Sequence, residues 1–321
     1  MIVEKQSKKN NTIPKVSVTV VTYNQENYIE QALESIVAQK VNFPYEIIIA
    51  DDASTDKTLD ICKKYASKFP NVITIVPEEE NMGTTKNHLR ACKMASGEYI
   101  CNLEGDDYWC DEYKLQKQVD FLESHKNYFG VSHRILCYKD EKNNFPDIKR
   151  RQCGKITLKK FAKGKGYSNT ATLYKNIYKG DITVFEELYT HQRILGDLTM
   201  CLYLLSLGDI YVLSDIMFVY RIESNNKNYN NTVKRREKSE NLLDLTLLMY
   251  DYFNRPRYYY SLFVSPLMQL YFLKLKNKDE YAYQENIDKM PNEIRRYFRS
   301  RLPINLISYY FKYLKWRRYK K

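Results

Sequence analysis

The chain has 321 residues, of which 44% are hydrophobic, and a formal net charge of +12. A chain of this length can bury one large core, or one core and a smaller appended unit. Its seven cysteines form no Cys-x-x-Cys pair and its four histidines lack zinc-ligand spacing. We therefore expect reduced thiols, with neither a disulfide framework nor a zinc site. The polar start, MIVEKQSKKNNTIPK, lacks the apolar core of a signal peptide, which favours a cytoplasmic protein.

Strands and helices alternate in the first half of the chain. In chain order the predicted elements are the strand VSVTVVTYN, a helix with Ile29, Leu33, Ile36 and Val37 at helical spacing, the strand YEIIIADD, the helix TDKTLDICKKYASKF, the strand NVITIVP, a glycine-containing loop at 81–85 with a helix to about residue 95, the strand GEYICNLEGDD, and the helix DEYKLQKQVDFLESH with Leu115, Val119 and Leu122 on one face. This alternation predicts an α/β fold with helices covering the sheet.

Polar clusters follow three of these strands. They are Thr22-Tyr23-Asn24, Asp51-Asp52 and Glu104-Gly105-Asp106-Asp107. Ligands of such sheets bind outside the carboxyl ends of the strands. The three clusters are therefore expected to lie at one edge of the sheet and to form its binding site.

Three carboxylates, Glu104, Asp106 and Asp107, stand together in the stretch CNLEGDDYWCDE. Carboxylates this close repel one another and are rarely buried unpaired, so the turn is either solvated or holds a cation. The following Tyr108 and Trp109 are large aromatic residues that favour burial of the turn. Mg²⁺ and Mn²⁺ take carboxylate ligands together with phosphate oxygens. The pattern therefore favours a divalent cation that faces a diphosphate.

Other residues at the predicted edge allow two interpretations each. Asp52 either accepts hydrogen bonds from a uracil imide or a ribose, or lies in a solvated turn. Tyr23 either stacks on a base or packs at the end of its strand. Asn24 either faces the ligand or caps the first helix, and the Ser54-Thr55-Asp56 segment is expected to cap the second helix.

The chain resembles the family 2 glycosyltransferases with the GT-A fold, the large inverting group that builds bacterial surface polysaccharides. The resemblance rests on four segments in this order and spacing: VSVTVVTYNQENYIEQALESIVAQ, YEIIIADDASTDKT, NMG with ASGEYI, and LEGDDYW followed by KLQKQVDFLE. It covers roughly residues 15–221. It implies a nucleotide-sugar-binding domain with a central mixed sheet.

The resemblance also implies roles for individual residues. The metal would be held by Glu104, Asp106 and Asp107, with Glu104 in place of the first Asp of the family's D-x-D motif. The nucleotide sugar, which is the donor of the transferred sugar, would be bound by Thr22, Tyr23, Asn24, Asp52, Asn87, Asp106 and Arg221, with Lys86 next to Asn87.

Two later segments resemble further elements of the family. Asp197 follows a glycine and begins an apolar helix, Leu198 to Leu207, as does the family's catalytic base; the alternative is a helix N-cap. VYRIESNN is similar to the Tyr-Arg-x-His element, with Glu223 in place of the His. Arg221 is then a candidate for stabilising the leaving diphosphate, or else forms a salt bridge at the end of its strand.

The resemblance implies metal-dependent transfer, with Mn²⁺ or Mg²⁺, of a hexosyl or N-acetylhexosaminyl group from a UDP-sugar. The acceptor would be a glycan or a lipid-linked molecule, in capsule or lipopolysaccharide synthesis.

Two alternatives belong to other functional classes of protein. A sugar-nucleotide nucleotidyltransferase usually carries a glycine-rich loop after the first strand, and TVVTYNQENY has none. A nucleic-acid-binding protein would explain a basic surface but not the acidic edge, so we expect no nucleic acid.

The positive charge is concentrated at the end of the chain. Residues 1–233 hold 31 Lys+Arg and 30 Asp+Glu, whereas residues 234–321 hold 20 and 9. The polar run from Glu223 to Glu240 has the composition of a linker. We therefore predict a glycosyltransferase domain at 1–228 and a basic, aromatic-rich helical region at 229–321.

Three segments outside the motifs have compositions that indicate their environment. Tyr258–Leu273 is uncharged but too short to span a membrane and contains Pro266, so it is expected to be a buried core helix. INLISYYFKYLKWRRYKK, at 304–321, has six basic residues and no acidic one; it is either a peripheral helix on the inner membrane face or a solvated terminal helix packed on the second domain. Lys139–Ser168 is either a mobile loop near the acceptor or a solvated insertion.

Overall fold

A computed structural model of the chain describes residues 13–139, 144–146, 153–162, 166–191, 196–222, 235–252, 267, 270 and 280–300. The chain divides into two compact units, Met1–Thr157 with Lys165–Asn226, and Leu158–Gly164 with Lys227–Lys321. Residues 223–234 lie outside the described residues, and the division at residue 228 stays a prediction.

Within the described residues, one ten-stranded sheet forms the centre of the first unit. Its strands are β1 Val16–Thr22, β2 Tyr45–Asp51, β3 Ile73–Val76, β4 Tyr99–Glu104, β5 Tyr108–Trp109, β6 Tyr128–Tyr138, β7 Asn144–Pro146, β8 Gly154–Ile156, β9 Leu173–Lys175 and β10 Asp209–Arg221. Their order is β3-β2-β1-β4-β9-β6-β10-β5, with β7 beside β6 and β8 beside β10.

The sheet is mixed. Strands β3, β2, β1 and β4 run parallel, and β9 pairs antiparallel with both β4 and β6. Strands β6 and β10 form a second parallel pair. The predicted α/β fold with a central mixed sheet is therefore confirmed.

Helices of the first unit connect these strands. They are α1 Ile29–Val37, α2 Thr58–Lys68, α3 Thr84–Lys93, α4 Lys114–Ser124, α6 Thr183–His191 and α7 Gly196–Leu207, with a 3₁₀ turn at Ile177–Lys179. All residues of β1 are buried, as expected for a parallel strand covered on both faces. In α4 the predicted apolar stripe of Leu115, Val119 and Leu122 is buried as well. The hydrophobic periodicity thus located the faces that form the core.

The described part of the second unit is helical. It contains α5 Leu158–Ala162, α8 Arg235–Tyr252, α9 Glu280–Asp288 and a helix, α10, at residues 292–300. Leu267 and Leu270 are helical and buried; the rest of the predicted core helix at 258–273, and the basic segment at 304–321, lie outside the described residues. Of the helices in the described ranges, none is both long and apolar enough to cross a membrane.

The predicted loop at 139–168 lies only partly within the described residues. Its described parts include β7, β8 and α5. The seven cysteines all lie within the described ranges, and none of them is in a disulfide bond there.

Candidate active site

The three polar clusters of the sequence meet at one edge of the sheet. β1 pairs in parallel with β2 and with β4, and the register places Thr22 beside Asp51 and Val21 beside Glu104. Parallel neighbours end at the same edge. The ends of β1, β2 and β4 therefore bring their polar residues together, as expected from the sequence.

The carboxylates of Glu104, Asp106 and Asp107 form an acidic cluster in which the nearest oxygens of the three groups lie within 4.8 Å of one another. Asp107 is only 1% exposed. Its Oδ1 accepts a hydrogen bond from the backbone N–H of Arg221 at 2.8 Å, and its Oδ2 is buried with no hydrogen-bond partner among the described residues. A buried, acceptor-only oxygen beside two more carboxylates fits a hard divalent cation, which takes oxygen ligands.

The turn of the acidic cluster packs tightly against β1. The Gly105 N–H donates to the Val21 carbonyl at 2.9 Å. A Cβ at Gly105 would lie 2.5 Å from Gln25 Oε1, 2.9 Å from Thr22 Oγ1 and 3.0 Å from Ile29 Cδ1. The close approach therefore requires glycine, and it brings the carboxylates next to the end of β1.

Repulsion within the cluster changes its protonation. Burial raises the pKa of Glu104 well above its usual range, and the charges of Asp197, Asp106 and Asp107 raise it further. Burial also raises the pKa of Asp107, with Asp106 adding to the rise and Arg221 opposing it. The cluster thus carries more negative charge than its protein surroundings compensate, and either protons or a cation relieve the repulsion.

Arg221, at the end of β10, is fixed beside the cluster. Its guanidinium carbon lies 4.6 Å from the centre of the Tyr108 ring and 5.1 Å from the centre of the Tyr28 ring. Its Nη1 donates to the Asp106 carbonyl and its Nη2 to the Gln31 side chain. The planar guanidinium is therefore held by cation–π contacts and hydrogen bonds that an ammonium group would not reproduce.

The end of β1 presents one exposed ring. Tyr23 is 45% exposed, whereas Thr22 is 3% exposed and donates its hydroxyl to Gln25 Oε1 at 2.8 Å. Asn24 has a φ of 51° and its Oδ1 accepts from the Thr55 N–H at 2.8 Å. Asn24 therefore ties the β1 loop to the loop after β2; it does not cap α1, whose N-cap Tyr28 has no side-chain capping bond.

The segment expected to cap α2 does not supply its N-cap, which is Lys57 and has no side-chain capping bond, but Asp56 bonds to the start of the helix. Asp56 Oδ1 accepts from the Thr58 N–H, the first residue of α2, at 2.9 Å. Ser54 instead donates its hydroxyl to Asp51 Oδ1 at 2.5 Å. Asp51 thereby closes the turn after β2 and leaves the following Asp52 to bond elsewhere.

Asp52 holds the loop before α3. Its two carboxylate oxygens accept from the N–H groups of Met82 and Gly83, each at 2.9 Å, and the residue is 3% exposed. Gly83 has a φ of 85°, a value that glycine adopts without strain. The carboxylate thus fixes the loop next to the end of β2.

Asn87 is buried behind this loop. It is 1% exposed, its Nδ2 donates to the Ala50 carbonyl at 2.8 Å, and its Oδ1 accepts from Arg90 Nη2 at 2.6 Å. Both ends of the amide are therefore used inside the protein. The neighbouring Lys86 is exposed.

Asp197 lies in the first turn of α7 and is exposed. It is the second residue of the helix and does not precede it, and an acidic side chain in a first turn is favoured by the helix dipole. Its charge contributes to the raised pKa of Glu104, so the start of α7 lies near the acidic cluster. Glu223 lies outside the described residues.

Three residues of the site were missed by sequence reasoning. Gln25, Tyr28 and Gln31 contact Thr22 or Arg221 as described above. They stand three residues apart: Gln31 lies in the first turn of α1, Tyr28 is its N-cap, and Gln25 lies in the segment before it. This spacing was the available signal, but Arg221, the partner of Tyr28 and Gln31, lies almost two hundred residues later.

Comparison with known proteins finds a family model and several relatives that match this chain. The family model described as glycosyl transferase family 2 matches residues 17–178, half of the chain. The uncharacterized protein Rv1520 of Mycobacterium tuberculosis is 32% identical over 214 residues, which cover 64% of this chain and 58% of that protein. The minor teichoic acid biosynthesis protein GgaB of Bacillus subtilis is 37% identical over 116 residues, which cover 36% of this chain and 13% of GgaB.

A solved structure shares the fold. The crystal structure of S. aureus TarS 1-349 in complex with UDP-GlcNAc superposes with a TM-score of 0.64 at 21% identity, over 87% of this chain and 82% of TarS 1-349. The chain spans little more than half the length, 58%, of the mycobacterial relative. The matched family model and the shared fold confirm the resemblance seen in the sequence: the chain belongs to glycosyl transferase family 2.

Proposed function

We propose that the protein transfers a sugar from a nucleotide-diphosphate donor, a UDP-sugar, to an acceptor hydroxyl with inversion at the anomeric carbon. The observation that carries this proposal is the acidic cluster of Glu104, Asp106 and Asp107 at the sheet edge that also bears the exposed ring of Tyr23. An acidic edge repels a diphosphate unless a cation stands between them. TarS, which shares the fold, was crystallised with UDP-GlcNAc.

A divalent cation, Mn²⁺ or Mg²⁺, would be held by the acidic cluster. The buried Oδ2 of Asp107, which lacks a partner among the described residues, supports this assignment. When bound, such a cation stabilises the charge that develops on the departing diphosphate. Asp106 lies between Glu104 and Asp107 in the turn, and it would bind the nucleotide sugar as well as the cation.

The nucleobase of the nucleotide sugar would stack on Tyr23. The Tyr23 ring is the exposed aromatic group at the end of β1, and aromatic faces bind nucleobases by stacking. Asn24 and Asp52 would act through the loops that they fix, and the buried Thr22 and Asn87 would support the same loops from behind. The loops of the nucleotide site would then be held by these hydrogen bonds before the nucleotide sugar binds.

Asp197 would serve as the general base. An exposed carboxylate at the start of α7, within electrostatic reach of Glu104, is accessible to an acceptor hydroxyl. It would take the hydroxyl proton as the oxygen attacks the anomeric carbon. Arg221 would supply positive charge next to the acidic turn. A single displacement of this kind needs no covalent intermediate.

The acceptor would be a bacterial surface polymer or its lipid-linked precursor. The similarity to GgaB, named as a teichoic acid biosynthesis protein, supports this assignment. Assembly of such polymers from UDP-sugars requires a hydroxyl nucleophile on each acceptor, which is the group that Asp197 would activate.

A panel of nucleotide sugars tests the proposal. Thermal stabilisation and slow donor hydrolysis are measured with and without Mn²⁺, for the wild type, Asp106→Asn and Asp197→Asn, with the exposed Asp60→Asn as the matched control. We expect a UDP-sugar to be bound and hydrolysed with Mn²⁺, Asp106→Asn to lose binding, and Asp197→Asn to bind but lose turnover. The proposal is wrong if no nucleotide sugar stabilises the protein, and the base assignment is wrong if Asp197→Asn turns over at the wild-type rate.

A further inference from the structure

A hydrogen-bonded chain of buried side chains lies between α3 and α6. The Tyr189 hydroxyl on α6 and His88 Nδ1 on α3 are 2.8 Å apart, and the other ring nitrogen of His88 is 3.4 Å from Cys92 Sγ. Tyr189 is 4% exposed and His88 is 6% exposed. Neither residue has a role in the reaction described above.

One end of this chain touches the residue before Asp197. A Cβ added to Gly196 would lie 3.2 Å from the Tyr189 hydroxyl oxygen and 3.4 Å from two carbons of its ring. The phenol therefore packs directly against the Gly196 backbone in the first turn of α7. Stacking on Phe185, at 4.9 Å between ring centres, fixes the plane of the Tyr189 ring from within α6.

The other end is anchored to the strands that carry the site. Cys92 Sγ lies 3.9 Å from Thr19 Oγ1 on β1 and 3.9 Å from Asn102 Oδ1 on β4. The Thr19 hydroxyl also donates to Asn102 Oδ1 at 2.8 Å. Strand β1 ends at Thr22, next to Tyr23 and Asn24, and β4 ends at Glu104 of the acidic cluster. The hydrogen-bonded side chains thus connect β1 and β4, whose ends form the site, to the start of α7.

Charge provides a second link to the site. Burial raises the pKa of the Tyr189 phenol well above its usual range, and the charges of Asp197, Cys92 and Glu104 raise it further. The phenol therefore stays protonated at neutral pH, as a neutral hydrogen-bonding group close to both carboxylates.

We propose that Tyr189 and His88 are positioning residues that hold the first turn of α7 so that Asp197 faces the acidic cluster. This inference rests on the proposed role of Asp197 as the base. Gly196 belongs to the same arrangement, because a Cβ at this position would lie only 3.2 Å from the Tyr189 hydroxyl oxygen. A base displaced by about 1 Å loses up to about a hundredfold in rate while donor binding is retained, so the two residues act on turnover and not on donor affinity.

The alternative is that the pair only stabilises the core. Removing a buried hydrogen bond then lowers the melting temperature without a specific loss of turnover. Tyr65 provides the matched control: it is 6% exposed and its hydroxyl donates to Glu34 Oε1 at 3.1 Å, in the contact between α1 and α2.

The experiment compares Tyr189→Phe with Tyr65→Phe in the full chain, using the UDP-sugar found in the panel with Mn²⁺. We expect Tyr189→Phe to lower kcat at least about tenfold with KM for the donor unchanged, and Tyr65→Phe to keep the wild-type kcat. In the Asp197→Asn background, Tyr189→Phe is expected to cause no further loss, because both changes act through one group.

Two substitutions of His88 keep the test independent of the phenol. His88→Asn retains a polar group near the position of Nδ1 and is expected to keep more of the kcat than His88→Gln, whose amide lies near the position of Nε2. A full kcat in Tyr189→Phe with an inactive Asp197→Asn overturns the positioning role and leaves the proposed function intact. Equal kcat in the two His88 variants, or an additive loss in the double variant, also overturns it. A fully active Asp197→Asn overturns the base assignment and the positioning role together.

Discussion

Two hydrogen bonds join the segments of Asp107 and Arg221: the Asp107 side chain accepts one from the Arg221 backbone, and the Arg221 side chain donates the other to the backbone before Asp107. The backbone N–H of Arg221 donates to Asp107 Oδ1 at 2.8 Å, while the Arg221 guanidinium donates to the carbonyl of Asp106, the residue before Asp107. The acidic turn after β4 is thereby joined to the end of β10, more than a hundred residues later. The positive charge beside the acidic cluster is thus also part of what gives the turn its shape.

Arg221→Lys is expected to weaken donor binding while keeping the charge. The single ammonium group of lysine cannot contact both the Tyr28 and Tyr108 rings and also donate to the Asp106 carbonyl and Gln31. We expect about a tenfold weaker affinity for UDP with Mn²⁺, measured by isothermal titration calorimetry. Arg295→Lys, a partly exposed arginine on α10, serves as the control. Unchanged affinity in Arg221→Lys would show that charge alone matters at this position.

Gly105→Ala is expected to disturb the acidic turn. The added Cβ meets Thr22 Oγ1 at 2.9 Å and Gln25 Oε1 at 2.5 Å, and overpacking of this kind costs about 1–3 kcal/mol. Gly180→Ala is the matched control, because its nearest neighbour would be the Ile177 carbonyl at 3.9 Å. Melting temperature and Mn²⁺-dependent stabilisation are both expected to fall in Gly105→Ala only. Equal behaviour of the two variants contradicts the close packing of this turn.

The acidic cluster makes the stability of the metal-free protein depend on pH. The pKa values of Glu104 and Asp107 are raised by folding, so the folded protein binds these protons more tightly than the unfolded chain. Their stabilising contribution is full below about pH 4, the range of the unfolded groups, and is lost as the pH rises through the folded pKa values. Without metal, the contribution of these two groups to the melting temperature is therefore expected to fall towards neutral pH.

Glu104→Gln isolates this effect, because it removes one charge of the cluster. We expect the variant to be more stable than the wild type without metal at neutral pH, with the difference shrinking towards about pH 4. Scanning fluorimetry across this range, with and without Mn²⁺, measures it. Mn²⁺ is expected to stabilise the wild type more as the pH rises, because the cation displaces protons. A variant less stable than the wild type at neutral pH would contradict the repulsion.

Asp52→Asn is expected to lower stability as well as donor binding. The amide nitrogen cannot accept a hydrogen bond, so the N–H of either Met82 or Gly83 loses its partner. A buried N–H group without a hydrogen-bond partner lowers the free energy of unfolding by about 1–3 kcal/mol. Chemical denaturation without ligand measures this change. Wild-type stability with weakened UDP binding would instead show that Asp52 acts only through contact with the base.

The sequence located the acidic site because its signals are local. β1, β2 and β4 are short apolar runs that end in polar residues, and parallel pairing alone brings Thr22, Asp51 and Glu104 to one edge. Trp109, expected to draw the turn inward, is 4% exposed. These features depend on residues close together in the chain or on pairing rules that hold for any such sheet.

The remaining contacts depend on long-range packing that no local pattern contains. A strand ending at Arg221 was expected, but neither β6 nor its long parallel pairing with β10 was predicted. Arg134 in β6 and Asp215 in β10 interrupt the apolar pattern of a covered strand. The partners of Asp52 and Asn87 were not predicted either, because Met82 and Ala50 contribute backbone groups that carry no sequence signal. Likewise, nothing near His88 indicates Tyr189, about one hundred residues later.

The central claim is that the acidic cluster holds a divalent cation which faces the donor diphosphate. The most direct measurement is a crystal structure of the full chain grown with Mn²⁺ and UDP, with anomalous data collected for manganese. The account predicts an anomalous peak between Glu104, Asp106 and Asp107, with diphosphate oxygens on its open side. Bound UDP with no manganese at this cluster would contradict it.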